Sequence, residues 1–300
     1  MKAAPFEYSR PADIDEACAM LAADENARLI AGGQTLVPMM AMRLARPTRL
    51  VDINRIVGLS YIKADGDAIA IGAITRQCDL ETSDVIARNI PLMAKAIPWI
   101  GHAATRARGT IGGSLVNADP AAEQALIAVT LDAVLNYRED KKTVEIAARE
   151  FFVGAMVTSL PSTACLTGVK VPVWKGERIG VGFHEVNARR SDFAFVSSAV
   201  QVQLDADGTC QRIAIGVGAA TDFPMRLDSA EQQLVGTKLD PAKVKDVVTE
   251  ALTDIDALDD LHATAAYRKR VAVSMACRAV ADARANALGE LALGEKLHAH

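Results

Sequence analysis

The chain has 300 residues, 50% of them hydrophobic and 23% charged, with a formal net charge of −4. That length suggests about two domains whose cores need no disulfide staples, and the mild acidity leaves no electrostatic footprint for nucleic acid. The opening MKAAPFEYSRPADIDE has no apolar leader core and no segment approaches the ~20 apolar residues of a transmembrane span, so a cytoplasmic location is expected.

In chain order, ADIDEACAMLAAD places Ile14, Ala17, Cys18 and Leu21 on one face at helical spacing. RLIAGG reads as a strand running into a tight turn, LVPMMAMRL as a short helix, and RLVDI at 49–53 as a second strand, together a small βαβ-like unit. YIKADGDAIAIGA predicts a hairpin around Asp65-Gly66-Asp67. Helices are expected at about 75–82 and 85–97. WIGHAATRARGTIGGSLVNADP then interrupts the pattern before a helix in AAEQALIAVTLDA, whose start Asp119-Pro120 marks.

AVLNY and TVEIA resemble strands around a solvated charged turn, Arg138-Glu139-Asp140-Lys141-Lys142. PVWKGERIG at 172–180 combines proline, glycine and charge, which puts the main boundary near 176. Beyond it, FAFVSSAVQVQLDADGTCQRIAIGVG gives strand, turn, strand. The chain after 228 is mostly helical and ends in an alanine-rich helix from about 263 to 288.

The five cysteines, Cys18, Cys78, Cys165, Cys210 and Cys277, are scattered with no C-x-x-C, which argues against zinc or an iron–sulfur cluster held by this chain and for mostly buried free thiols. His102, His184, His262, His298 and His300 have no ligand spacing, and the last two read as a mobile tail.

Two stretches repeat a pattern: AGGQT at 31–35 and TIGGS at 110–114 each place a glycine pair before a small polar residue. Adjacent glycines permit φ > 0 and bare backbone N–H groups to an anion. Thr35 sits where a hydroxyl caps a helix or meets a phosphate, and Pro38 fits a helix start. Each pair alone reads more readily as a plain turn. Neither matches G-x-G-x-x-G, and the chain has no P-loop. Together they leave open the reading of two anion-binding loops facing one pyrophosphate, beside that of two plain turns.

These loops, their separation and order, together with FEYSRPADIDEA, RRSDFAFVSSAV and the terminal helices, make nearly the whole chain resemble the FAD-binding medium subunit of molybdenum hydroxylases. That group includes relatives of carbon monoxide dehydrogenase, nicotine dehydrogenase and xanthine dehydrogenase. The resemblance implies an α+β chain. A two-lobed FAD-binding domain of the vanillyl-alcohol-oxidase (PCMH) type would cover 1–175, with lobes of about 1–57 and 58–175 and FAD between them, before a smaller α+β C-terminal domain at 176–300.

Carried over by position, Ala31, Gly32, Gly33, Gln34 and Thr35 would line one side of the pyrophosphate and Thr110, Ile111, Gly112, Gly113 and Ser114 the other. Asn117, Asp119 and Glu123 would make polar contacts to the cofactor, with Glu123 standing where an aspartate is usual. Ile100 and Leu166 would be apolar walls of the flavin pocket and Phe193 an aromatic neighbour of the isoalloxazine ring. Glu185 would put an anion where relatives commonly have a lysine. Gln34 replaces the histidine of covalent flavoproteins of the wider fold, which implies non-covalent FAD.

No separate acid–base residue and no metal ligand is expected in this chain. Its implied partners are a large molybdenum-cofactor subunit that oxidises the substrate, a small subunit with 2Fe-2S clusters, and an external electron acceptor, assembled as a dimer of heterotrimers. Two competing readings are a self-contained FAD-dependent oxidoreductase of the same wider fold and a non-redox protein that binds a phosphate-bearing ligand.

Overall fold

A computed structural model of the chain describes residues 2–290; the histidine tail expected at His298 and His300 lies outside the described residues. The chain forms two compact units that interleave in sequence. The first takes the chain up to Ile86 with His102–Ala118 and Asp132–Pro172, and the second takes Ala87–Gly101, Asp119–Leu131 and the chain from Val173 onward.

The first unit holds a parallel three-stranded sheet in which Arg49–Asp52 lies between Glu7–Ser9 and Arg28–Ile30. The helix Ile14–Ala23 begins at Asp13, whose carboxylate accepts from the Glu16 N–H at 2.9 Å. Its predicted face buries Ala17, Cys18 and Leu21 in one cluster with Val51, Ile53 and Ile74. The edge strand Glu7–Ser9 leaves no signal in the sequence because its three largely exposed residues carry no alternation.

A second, antiparallel sheet has the order Ile62–Asp65, Ala68–Gly72, Cys165–Pro172, Val134–Glu139, Lys142–Ala147. The hairpin predicted around Gly66 forms, with Gly66 at φ 62°. In the charged hairpin Asp140 and Lys141 both have positive φ, 44° and 61°, the signature of a two-residue turn whose twist matches the strands. The central strand Cys165–Pro172 is not expected from the sequence. Gly168 and a register shift between Leu166 and Gly168 break its pattern, and its partners are distant in the chain.

The second unit is built on an antiparallel sheet, Ile179–Val186, Val196–Leu204, Cys210–Gly218 and Met225–Arg226, with the alanine-rich helix Ala265–Ala287 packed on its first two strands. Close approach requires glycine here: a Cβ on Gly180 or Gly182 would lie 2.0 Å from the Ala283 carbonyl oxygen or 1.9 Å from that of Ala279. Arg268 anchors the start of this helix through the carbonyls of Phe195 and Ala219, and through the Asp260 carboxylate at 2.6 Å.

The helix expected at 85–97 is divided into Asp84–Asn89, Pro91–Ala96 and a tight turn at Ile97–Trp99. Ile90 precedes Pro91 and is forced out of the helical region, with φ −132° and ψ 62°. Among the described residues no helix is long and apolar enough to cross a membrane.

Candidate functional site

The strand Arg28–Ile30 delivers the chain to the first glycine pair. Gly33, at φ 71°, turns it into the six-residue helix Leu36–Ala41. Thr35 makes no side-chain cap, so its exposed hydroxyl stays available. Among the described residues, the N–H groups of Gly32, Gly33, Gln34 and Thr35 donate in none of the hydrogen bonds. The Gln34 side chain instead folds back, its Nε2 donating to the Gly32 carbonyl at 3.1 Å.

The second glycine pair corrects the sequence expectation of a second open turn. Thr110 is a helix cap whose Oγ1 accepts from the Gly113 N–H at 3.1 Å, and Ile111–Asn117 is helical. Neither Gly112 nor Gly113 has positive φ. Gly112 is required for another reason: a Cβ there would lie 2.6 Å from the Ala73 carbonyl oxygen, to which its own N–H donates at 2.8 Å. The N–H groups of Ile111 and Ser114 are also used inside the fold, by Thr75 and Thr110 carbonyls, each at 3.1 Å. What this stretch offers a ligand is the bare, exposed surface of Gly113 and the Ser114 hydroxyl.

The fold brings the two stretches side by side. A Cβ on Gly32 would lie 2.5 Å from the Arg108 carbonyl oxygen and 2.8 Å from the Gly109 Cα. On one side of this seam the N–H groups of residues 32–35 have no acceptor among the described residues, and on the other the main chain of Arg108 and Gly109, just ahead of the second stretch, lies against Gly32. Such a cradle fits a pyrophosphate: the donors match its oxygens and the glycines let it come close.

The approach to the second stretch is fixed by ion pairing. Arg106 grips Glu81 through two bonds, Nε to Oε2 at 2.7 Å and Nη2 to Oε1 at 2.9 Å. This pair has no sequence signature, and neither do Arg76 and Asn54, which bond to the backbone of both stretches. They carry no motif, since the main-chain carbonyls they bind and their bond to each other are brought together by tertiary contact.

In the first unit, Asn117 closes the helix that starts at Ile111, its Nδ2 3.8 Å from Met156 Sδ, and Leu166 is buried on the central strand. In the second unit Ile100 is buried, Phe193 is 74% exposed, and the Asp119 carboxylate accepts from the Ala121 N–H at 2.9 Å ahead of the helix Glu123–Thr130. An open cleft of about 390 Å³ in this unit, lined by Phe195, Asp260, His262 and Tyr267 among others, includes none of the residues that the resemblance assigns to the cofactor.

Glu185 departs from expectation in its charge. Its carboxyl is buried, accepts from Asn187 Nδ2 at 2.8 Å through Oε1, and leaves Oε2 without a partner. Burial, with a smaller push from neighbouring Glu123, raises its pKa to about 8, so it is a neutral carboxyl rather than an anion at neutral pH. Burial likewise raises Glu123 to about 7.

A carboxyl whose folded pKa lies above its unfolded value favours the fold while protonated. Glu185 therefore makes the cofactor-free chain progressively less stable as pH rises from about 4.5 to about 8. Glu185→Gln should match the parent near pH 5 and exceed it at pH 8 by on the order of 3 kcal/mol, read by urea denaturation at both pH values. Equal differences at both would show that the carboxyl is ionised throughout.

Among the described residues no group of three or more His, Cys, Asp or Glu side chains could hold a metal ion. Cys18, Cys165 and Cys210 are buried free thiols, while Cys78 and Cys277 are partly exposed.

Comparison with known proteins identifies both domains and the family. Residues 4–174 match the FAD binding domain in molybdopterin dehydrogenase, and residues 182–283 the CO dehydrogenase flavoprotein C-terminal domain. The 6-hydroxypseudooxynicotine dehydrogenase complex subunit alpha of Paenarthrobacter nicotinovorans is 36% identical over 94% of this chain and 96% of its own. The carbon monoxide dehydrogenase medium chain of Afipia carboxidovorans is 32% identical over 94% and 98%.

Among solved structures, a carbon monoxide dehydrogenase chain from Hydrogenophaga pseudoflava superposes with a TM-score of 0.91 at 30% identity, covering 95% of this chain and 99% of that one. With a FAD-binding domain and a CO dehydrogenase flavoprotein C-terminal domain in that order, the chain belongs to the FAD-binding medium-subunit family of the molybdenum hydroxylases.

Proposed function

We propose that the chain is the flavin-bearing electron-transfer subunit of a cytoplasmic, heteromeric molybdenum hydroxylase. In this assembly a large molybdenum-cofactor subunit oxidises the substrate. Electrons pass through the 2Fe-2S clusters of a small subunit to FAD held by this chain, and on to an external acceptor, within a dimer of heterotrimers. The observation that carries the reading is the seam between Gly32 and Arg108–Gly109, where a stretch whose N–H groups have no acceptor among the described residues packs against the main chain leading into the second glycine pair.

Bound FAD supplies the redox chemistry, and the chain supplies retention, orientation and access. Gly32, Gly33, Gln34 and Thr35 would donate to the pyrophosphate, with Ala31 leading into the turn; Thr110, Ile111, Gly112, Gly113 and Ser114 would form the opposing wall and contribute the Ser114 hydroxyl. Asn117 and Leu166 in the first unit, and Ile100, Asp119, Glu123 and Phe193 in the second, are assigned to the cofactor on the resemblance alone. Gln34 offers no nucleophile for a covalent flavin link, which supports non-covalent binding. We assign cofactor binding to residues 1–175 and the C-terminal domain to 176–300, a division that the two matched regions support.

The test is isolation from the native host under mild conditions, with an absorption spectrum, acid release of the cofactor and analysis for molybdenum and iron. Releasable FAD together with iron–sulfur and molybdenum subunits is the expected result. A yellow, partner-free and catalytically active chain would instead identify a self-contained flavoenzyme. A colourless chain that does not bind added FAD would leave the phosphate-ligand reading.

A further inference from the structure

The seam between the first glycine stretch and the approach to the second is spanned by two side chains, Arg76 and Asn54. The backbone of Arg76 pairs with Thr110 in an antiparallel bridge, flanked by the Gln77 N–H to the Gly109 carbonyl at 2.9 Å and the Ile111 N–H to the Thr75 carbonyl at 3.1 Å. Its guanidinium then turns to both sides. Nη1 donates to the Arg108 carbonyl, the same oxygen that a Cβ on Gly32 would strike, and Nη2 donates to Asn54 Oδ1 at 2.7 Å.

Asn54 completes the span by donating from Nδ2 to the Ala31 carbonyl at 2.8 Å. The amide is itself fixed, because Asp52 Oδ1 accepts from Asn54 Nδ2 at 2.6 Å and from the Asn54 N–H at 2.9 Å. Tyr8 donates its hydroxyl to the other Asp52 oxygen. These hydrogen bonds outweigh the burial that opposes them and hold the Asp52 carboxyl below its ordinary pKa, so the chain of bonds keeps its anionic end at neutral pH.

Two features set Arg76 apart from an ordinary structural arginine. It bonds the main chain of the second stretch directly and that of the first through one amide, so the separation of the two stretches depends on its fork. Its hydrogen bonds among the described residues also go to neutral acceptors, which leaves a positive charge at the seam with no carboxylate bonded to it. Arginine suits both tasks: it is permanently charged and its planar fork fixes two acceptors at once, which a lysine ammonium cannot reproduce.

We propose that Arg76, acting through Asn54, is the positioning residue that sets the spacing and the positive field of the pyrophosphate cradle. The proposal rests on the assignment of the two glycine stretches to the FAD pyrophosphate. It makes no claim that Arg76 touches the cofactor.

The experiment uses the full chain stripped of flavin and measures dissociation constants for FAD by fluorescence quenching and for ADP by calorimetry. Riboflavin, which has the ring and no phosphate, is the control, and melting temperature reports on the fold. In Arg76→Met, FAD and ADP should each bind at least about tenfold more weakly, because the cradle loses both the fork that sets its spacing and the positive charge beside it. Riboflavin affinity should hold, and Arg76→Lys should recover melting temperature but not ADP affinity.

Unchanged FAD and ADP affinities in Arg76→Met, with binding intact in the parent, would overturn this proposal alone. So would an equal loss for riboflavin, which would mark a general loosening. A parent chain that binds neither FAD nor ADP would overturn the functional assignment and this proposal together. Asn54→Ala, which cuts the same span on the Ala31 side, gives the same outcomes if Arg76→Met does not fold.

Discussion

Gly32→Val should bind FAD roughly 5- to 150-fold more weakly than the parent chain, the span that corresponds to about 1–3 kcal/mol of overpacking. The cause is local and severe. A Cβ at this position meets the Arg108 carbonyl oxygen at 2.5 Å and the Gly109 Cα at 2.8 Å, and both are backbone atoms that cannot rotate away. The first stretch must then move away from Arg108–Gly109, which displaces the unpaired N–H groups of residues 32–35 from the seam. A fluorescence titration with FAD reads the loss. Gly154→Ala is the control, since its Cβ would make only ordinary contacts of 3.7 Å or more with Val157 and should leave FAD binding unchanged. Equal affinity in Gly32→Val and the parent would mean that the cofactor does not use this seam.

The second large effect falls on stability. Gly182→Val should destabilise the second unit by about 3 kcal/mol or more, because its Cβ would sit 1.9 Å from the Ala279 carbonyl oxygen and valine adds two further methyl groups. Neither partner can yield alone. Gly182 pairs with Val200 in the sheet, and Ala279 lies in the middle of the helix Ala265–Ala287, so relief requires lifting a whole helix from the strand beneath it. Chemical denaturation followed by circular dichroism should show a lower midpoint for the variant. A midpoint equal to that of the parent would show that the helix does not lie on this strand.

Local chemistry written in short segments is legible in the sequence. The face of Ile14–Ala23, the Gly66 hairpin, the charged hairpin and the long alanine-rich helix all follow from spacing or from turn residues, which depend on neighbours in the chain. The helix expected at 85–97 differs because apolar spacing runs on through Pro91, whose ring bars its predecessor from the helical region.

The candidate site is legible in part and for a mixed reason. Both glycine pairs stand out in the sequence, but only Gly33 uses the backbone freedom that makes them conspicuous; Gly32 and Gly112 are glycines because another main chain passes where a Cβ would be. Composition cannot separate these two causes. Nor can it show that Glu185 is neutral, because its proton is held by burial and by a neighbour 62 positions away, Glu123.

By itself the sequence determined the chain's family, its cofactor and the two stretches that come together, because residue identity and order carry those. Tertiary structure decided which N–H groups stay open, placed Cys165–Pro172 at the centre of a sheet, and joined Arg76 to Asn54 across the seam. The first two are set by main-chain atoms of distant segments, whose hydrogen bonds are nearly the same for any side chain, and the third joins two side chains 22 positions apart, a spacing that no local pattern marks.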